Sequence, residues 1–220
     1  KSLALLELIR QRGPLTRTEL SQGSGFNIVT VSNYLGDFIT TGLVVERGFD
    51  VSTGGRKPVL VELNVKAGFA VGIDLGPMNY ARSMMRAVIT DLKGTIVHRI
   101  VKPRPALSMD QLLANAEELL RELLQTSPVD AKRIRGATVG VGGVLDERAG
   151  TIRDTSQEGR RTSYQMLQAR WEQAFGLPVL IGNDATLAGY GEYRLGLDRS
   201  VENMVYLYSD IGASIISHGQ

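Results

Sequence analysis

The chain has 220 residues, 43% hydrophobic and 22% charged, with 25 Lys/Arg against 23 Asp/Glu. That apolar share argues against a disordered chain, the length suits one large or two modest domains, and a net charge of +2 does not by itself call for a polyanionic partner. The absence of cysteine excludes a disulfide scaffold and thiolate zinc sites within these residues; with no apolar run of membrane-spanning length and no signal-peptide pattern, a cytoplasmic location and no membrane partner are expected.

Leu3, Leu5, Leu6, Leu8 and Ile9 recur at helical spacing, and Gly13-Pro14 ends that helix. Thr16 followed by Glu19 is a capping box, which predicts a short helix to about Gln22. After the Gly23-Ser24-Gly25 turn, Asn27 is the next N-cap. The helix from Ile28 to about Thr41 sets Val31, Leu35, Phe38 and Ile39 on one face until Gly42 stops it. Leu43–Val45 and Pro58–Leu63 read as two strands around a tip at Ser52–Lys57. The sum over residues 1–66 is a winged helix–turn–helix.

A second unit opens near Ala67. Phe69–Leu75, Ala87–Asp91 and Thr95–Val101 form a strand meander with a turn at Lys93-Gly94. Leu112–Leu124 is a helix with a leucine face, Ile134–Val141 a strand, and Tyr164–Phe175 a helix carrying the only tryptophan, Trp171. Pro178–Ile181, Met204–Tyr208 and Ala213–Ser217 read as strands, and Ala185–Leu195 as a helix. Antiparallel strands followed by alternating helix and strand describe an α/β domain. His98 and His218 have no partners at metal-ligand spacing.

In the first unit the recognition helix starts at Asn27. Ile28, Val29, Thr30 and Asn33 are its outward positions: Asn can read adenine, Thr30 and Ser32 can contact phosphates or bases, and an aliphatic side chain can touch a thymine methyl. Gly54-Gly55-Arg56-Lys57 is a basic tip able to reach a minor groove, and Arg17 can hold a phosphate. Candidate contacts to double-stranded DNA are therefore Arg17, Asn27, Ile28, Thr30, Ser32, Asn33, Arg56 and Lys57. Charge is scarce, however: residues 1–64 hold seven Lys/Arg against six Asp/Glu, and Leu20–Gly36 holds none. A single copy should bind DNA weakly, so a homodimer is expected. A winged helix used for protein contacts is the other reading.

Several segments together resemble the ROK family, which joins repressors, open reading frames and sugar kinases. They are Leu15–Leu20, Thr30-Val31-Ser32 and Gly55-Arg56-Lys57-Pro58 in the first unit, then Val71–Gly76, Val139–Asp146, Leu177–Ala185, Gly191–Gly196 and Asn203–Gln220, in family order. The resemblance implies an N-terminal winged helix–turn–helix followed by an actin/hexokinase-like (ribonuclease H-like) lobe over residues 67–182. A second lobe begins at 183–220 and is incomplete. It also implies that a Glu-x-Gly-His sugar segment and a Cys-rich zinc motif lie beyond Gln220. No cofactor is expected in these residues, and zinc only in a longer parent.

Family kinases carry Gly-x-Asp-x-Gly-Gly-Thr at the first phosphate motif; here Pro77, with no N–H, and Met78, with no hydroxyl, stand at its last two positions. In the second motif Asp210 sets a carboxylate where ATP phosphates would lie. No phosphoryl transfer is expected. Asn183-Asp184 match the family's sugar site, where the Asp is the kinase base; without phosphate sites, Asp184 becomes a hydroxyl acceptor and Asn183 offers donor and acceptor. Gly143, after Gly142 in place of the family's Pro, can present backbone groups. Asn183-Asp184 also read as a helix cap, and Arg160-Arg161 either as holders of an anionic sugar or as solvated loop residues. The reading is a DNA-binding regulator, a repressor, with a sugar or sugar derivative as effector. A sugar kinase with a DNA-binding head and a regulator whose sensor is only a dimerisation scaffold are the alternatives.

Overall fold

A computed structural model describes residues 2–49, 57–76, 83–105, 108–153, 161–197, 201–208 and 212–219. The chain divides into two compact units, Lys1–Gly68 with Asp91–Lys93, and Phe69–Thr90 with Gly94–Gln220.

The first unit begins with α1 (Ser2–Arg12), β1 (Leu15–Thr16), α2 (Arg17–Ser24) and α3 (Ile28–Thr40), followed by β2 (Val44–Phe49) and β3 (Val59–Leu63). The capping box forms as the sequence dictates: Glu19 N–H donates to Thr16 Oγ1 at 3.2 Å, and Thr16 N–H donates to Glu19 Oε2 at 2.7 Å. Asn27 Oδ1 accepts from Thr30 N–H at 2.8 Å and starts α3. The helices bury Leu5, Ile9, Leu20, Val31, Leu35 and Phe38 against Val44, Val61 and Leu63 of the sheet. Sequence periodicity did not reveal β1, a two-residue strand that pairs with β3 at Leu15↔Val61. It completes a three-stranded sheet in the order β1-β3-β2. Asp91–Lys93 belongs with this unit, where Leu92 N–H donates to Val65 O at 3.2 Å.

The second unit contains β4 (Phe69–Asp74), β5 (Met84–Asp91), β6 (Ile96–Pro103), α4 (Met109–Thr126) and β7 (Ile134–Val141). Next come β8 (Val144–Asp146), β9 (Thr151–Arg153), β10 (Arg161–Ser163), α5 (Tyr164–Phe175) and β11 (Val179–Asn183), then α6 (Asp184–Gly191), β12 (Met204–Tyr208) and β13 (Gly212–Ile216). The main sheet runs β11-β7-β4-β5-β6, with β7 parallel to both β4 and β11 and β5 antiparallel to β6. Its core joins Val71, Ile73, Ala87, Ile89, Val139 and Val141 to the leucine face of α4 and to Trp171 of α5. The Trp171 indole N–H donates to Glu117 Oε2 at 2.9 Å, so the burial of its one polar atom is compensated.

Two expectations change and one sheet is added. The α4 helix begins earlier than Leu112 because Ser108 and Gln111 form a second capping box. The helix expected to run to Leu195 leaves the α form after Gly191 and makes a π-helical turn over Glu192–Gly196. The short strands β8, β9 and β10 form a three-stranded antiparallel sheet. Strands of three residues hold too few side chains for alternation to stand out.

Candidate functional site

Side chains on a strand alternate between its two faces, so parity decides which residues leave the core. On β4 Val71 and Ile73 are buried, as is Leu75 just after it, which sends Gly72 and Asp74 to the opposite face. On β5 Met85, Ala87 and Ile89 are buried, sending Arg86 and Val88 there, and on β7 the buried Ala137, Val139 and Val141 do the same for Thr138 and Gly140. These residues floor a cleft of about 340 Å³, walled by Asp184, Leu187 and Ala188 at i, i+3 and i+4 of α6 and by Tyr208 at the end of β12. A glycine at 140 matters here, because a Cβ would meet Asp184 Cα at 3.4 Å and Ile73 O at 3.5 Å. It lets the start of α6 come close to the sheet.

Two carboxylates and one guanidinium set the field of the cleft. Arg86 Nη1 donates to Asp74 Oδ2 at 3.2 Å, while Asp74 Oδ1 accepts from Gly76 N–H at 2.8 Å. Burial raises the proton affinity of Asp184 above that of an ordinary carboxyl; the negative charge of Asp74 pushes the same way and the Ala185 N–H opposes them. The Tyr208 phenol is pushed up to about 12, first by burial and then by Asp74 and Asp184, with Arg86 opposing. The cleft can accept hydrogen bonds from hydroxyls at its acids, and donate to them from Thr138 and Tyr208, beside apolar walls.

Asp184 lines this cleft, as a hydroxyl acceptor must. Asn183 is more committed than its sequence neighbour. Its Oδ1 accepts from Thr186 N–H at 2.9 Å and from Thr186 Oγ1–H at 3.1 Å, and its Nδ2 donates to Gly143 O at 3.0 Å. The acceptor expected of Asn183 is therefore spent on the cap, and one amide N–H is left for a ligand. Gly143 spends its carbonyl on the same contact. It sits at φ +110, where a Cβ would meet Arg153 O at 2.7 Å. Asn183 and Gly143 thus act as a strap that holds the start of α6 to the segment after β7, beside the cleft lining. Arg161 lies on β10 with its Nη1 3.8 Å from Asp146 Oδ2, and it is not among the cleft residues.

In the first unit Asn27, Ile28, Val29, Ser32 and Asn33 are exposed at the start of α3, and Thr30 is half-buried. Ile28 and Val29 keep 46% and 65% of their surface in solvent. Arg17 Nη2 lies 3.5 Å from Glu46 Oε1, and Lys57 is exposed at the start of the strand approach to β3. Arg56, Pro77, Met78, Arg160 and Asp210 lie outside the described residues. Among the described residues no cluster of His, Cys, Asp or Glu could hold a metal, and no helix is long and apolar enough to cross a membrane.

Sequence reasoning missed Arg86, Thr138 and Tyr208 as cleft residues and did not single out Asp74. The signal for Arg86 was present: it interrupts an apolar strand at the parity opposite to Met85 and Ala87. Tyr208 gave no such signal, because it reaches the cleft only through the packing of β12 and β13 on α6.

The model of the ROK family matches residues 70–220. The xylose repressor of Bacillus spizizenii is 29% identical over 215 residues, covering 96% of this chain and 53% of that protein. A ROK family transcriptional regulator described as a homologue of the Escherichia coli MLC protein superposes with a TM-score of 0.71 at 20% identity, covering 100% of this chain and 54% of that one. A ROK family glucokinase from Streptomyces griseus, solved with glucose and AMPPNP, gives a TM-score of 0.54 at 21% identity over 70% of this chain and 46% of its own. The chain spans about half the length of the curated relatives it matches.

Proposed function

The chain belongs to the ROK family, and from that premise we propose that it is a DNA-binding transcriptional regulator, a repressor, whose α/β unit senses a sugar or sugar derivative. One observation carries the reading. Similarity to the xylose repressor runs through 96% of this chain and so takes in the first unit, whereas similarity to the glucokinase stops at 70%. A kinase has no use for what distinguishes the two.

In this reading the first unit is a winged helix–turn–helix over about residues 1–66. The start of α3 enters the major groove. Ile28 and Val29 meet thymine methyls there, Ser32 and Asn33 meet base edges or phosphates, and Thr30 stands at the rim. Asn27 has given its Oδ1 to the cap, so its amide nitrogen is the end that can meet DNA. Arg17 exchanges Glu46 for a phosphate, and Lys57 with Arg56 forms the basic wing. Seven basic against six acidic residues over positions 1–64 give one copy little non-specific hold, so two copies act together as a homodimer. The sugar biases two arrangements of that dimer and so changes the separation of its recognition helices. Pro77, Met78 and Asp210, at the positions that hold ATP phosphates in family kinases, support a chain that performs no phosphoryl transfer.

The test is selection from a random duplex-DNA pool, followed by a mobility shift of the enriched sequence with a panel of sugars. Enrichment of a two-fold repeated site and a sugar-dependent change in the shift are expected. No enrichment, together with hexose-dependent ATP turnover, would move the assignment to a sugar kinase with a DNA-binding head. DNA binding indifferent to every sugar would leave the α/β unit as a dimerisation scaffold.

A further inference from the structure

We propose that the cleft between the main sheet and α6 takes an uncharged polyhydroxylated ligand and rejects the phosphate ester or acid form of the same sugar. The proposal rests on the sensor reading above and adds to it the charge class of the effector. It follows from what lines the cleft. Asp74 and Asp184 contribute two carboxylates, and Arg86 contributes the one basic side chain among the described lining residues, already turned to Asp74 at 3.2 Å. The ionised lining is thus net negative by one charge, in a half-enclosed space where charges are screened less than in bulk water.

A neutral sugar fits that lining in both of its aspects. Its hydroxyls can donate to carboxylates, the stronger kind of hydrogen bond, and accept from Thr138 and Tyr208. Its C–H faces can lie on Val88, Leu187 and Ala188. The volume of about 340 Å³ lies at the small end of the range for small-molecule sites. An anionic sugar needs a surplus of basic donors, and among the described lining residues the one base, Arg86, already faces Asp74. The one described residue of the Arg160-Arg161 pair, Arg161, lies against Asp146 on β10 instead. The charge of Asp74 adds to burial in raising the proton affinity of both Asp184 and Tyr208.

The test is calorimetric titration of the whole chain, without DNA, with D-xylose, D-glucose and D-glucose 6-phosphate. At least one uncharged sugar should bind, and glucose 6-phosphate should bind about tenfold more weakly than that sugar or worse. Asp74→Asn keeps an acceptor for Gly76 N–H and removes one negative charge, so it should narrow the ratio to about threefold or less. Raising the salt concentration should narrow it in the unaltered chain, a readout that needs no variant to fold. Tighter binding of the phosphate ester overturns the proposal, as does a ratio indifferent to both Asp74→Asn and salt, or no binding of either uncharged sugar. Failure of the DNA selection with the ratio intact would remove only the regulator reading. Sugar-responsive DNA binding with the phosphate ester preferred would remove only this one.

Discussion

Among the described residues two asparagines cap α-helices, one in each unit, and they do different work. Asn27 closes a local cap on Thr30 and leaves the first turn of α3 open to solvent. Asn183 makes the same cap on Thr186 and also reaches Gly143, 40 residues earlier in the chain. The first cap shapes a helix end that other molecules can touch. The second commits its oxygen and one amide N–H to holding the cleft's surroundings together. A shared residue type at a shared structural position therefore says little about which end of a helix does the binding; the partners of its second polar atom decide that.

The largest effect that can separate the two units is Leu35→Ala. Leu35 is fully buried in the first unit's core, and its truncation should cost about 2–5 kcal/mol. Trp171, the single tryptophan, is buried in the other unit and serves as its reporter. Denaturant unfolding of Leu35→Ala should shift the helical signal of the first unit, abolish DNA binding and leave the Trp171 transition in place. If the Trp171 transition moves with it, the units unfold together and the contrast between them is one of surface chemistry only.

Gly143→Ala comes next and acts on the cleft. Its φ of +110 and the approach of a Cβ to Arg153 O at 2.7 Å make the substitution strained, at about 1–3 kcal/mol. The Trp171 transition should move to lower denaturant and sugar binding should weaken, while DNA selection is unchanged. An unchanged transition would mean that this segment yields freely, and the strap to Asn183 would lose its structural role.

The two caps can then be compared directly. Asn27→Ala should cost about 1 kcal/mol, and Asn27→Asp should restore it, since a carboxylate caps as well as an amide. Asn183→Ala should cost more, because it also leaves Gly143 O without its donor. Asn183→Asp should fail to restore that part: it keeps the cap but sets an acceptor against a carbonyl oxygen. Equal rescue at both positions, read from thermal melts, would remove the distinction between them.

What could be read in the sequence follows the same line. The capping box of Thr16 and Glu19, the Asn27 cap and the apolar face of α3 are local, and each stands where its neighbours in the sequence require. The Ile134–Val141 strand and the Tyr164–Phe175 helix were equally legible from their periodicity. Asp184 was legible through its resemblance to a family motif. Gly72, Asp74 and Gly140 fall in other segments of that resemblance, but their meeting with Arg86 and Thr138 was not legible, because these residues come from three strands and are neighbours only once the register is set. The loss of Asn183 as an acceptor was hidden for the same reason: Thr186 could be anticipated from a helix cap, Gly143 could not. Parity within β5 marks Arg86, which breaks the apolar run between Met85 and Ala87, but not what it meets.

The smallest effect is a slope in pH, and it should belong to the cleft and not to α3. Asp184 and Tyr208 are both acids that hold their protons more tightly when folded. Between the ordinary pKa and the raised one, the folded chain carries more bound proton than the unfolded chain, so stability falls as pH rises through that interval. For Tyr208 the interval runs from 10.0 to about 12, and Tyr208→Phe should flatten the alkaline decline in the Trp171 melting temperature. For Asp184 the interval opens upward from 3.8, and Asp184→Asn should remove a gain in stability on acidification that the unaltered chain retains. Since Asp74 contributes to both shifts, Asp74→Asn should reduce both slopes at once. A variant that changed one slope and left the other untouched would mean that the two acids do not share the field of Asp74, and the cleft would be two separate sites instead of one.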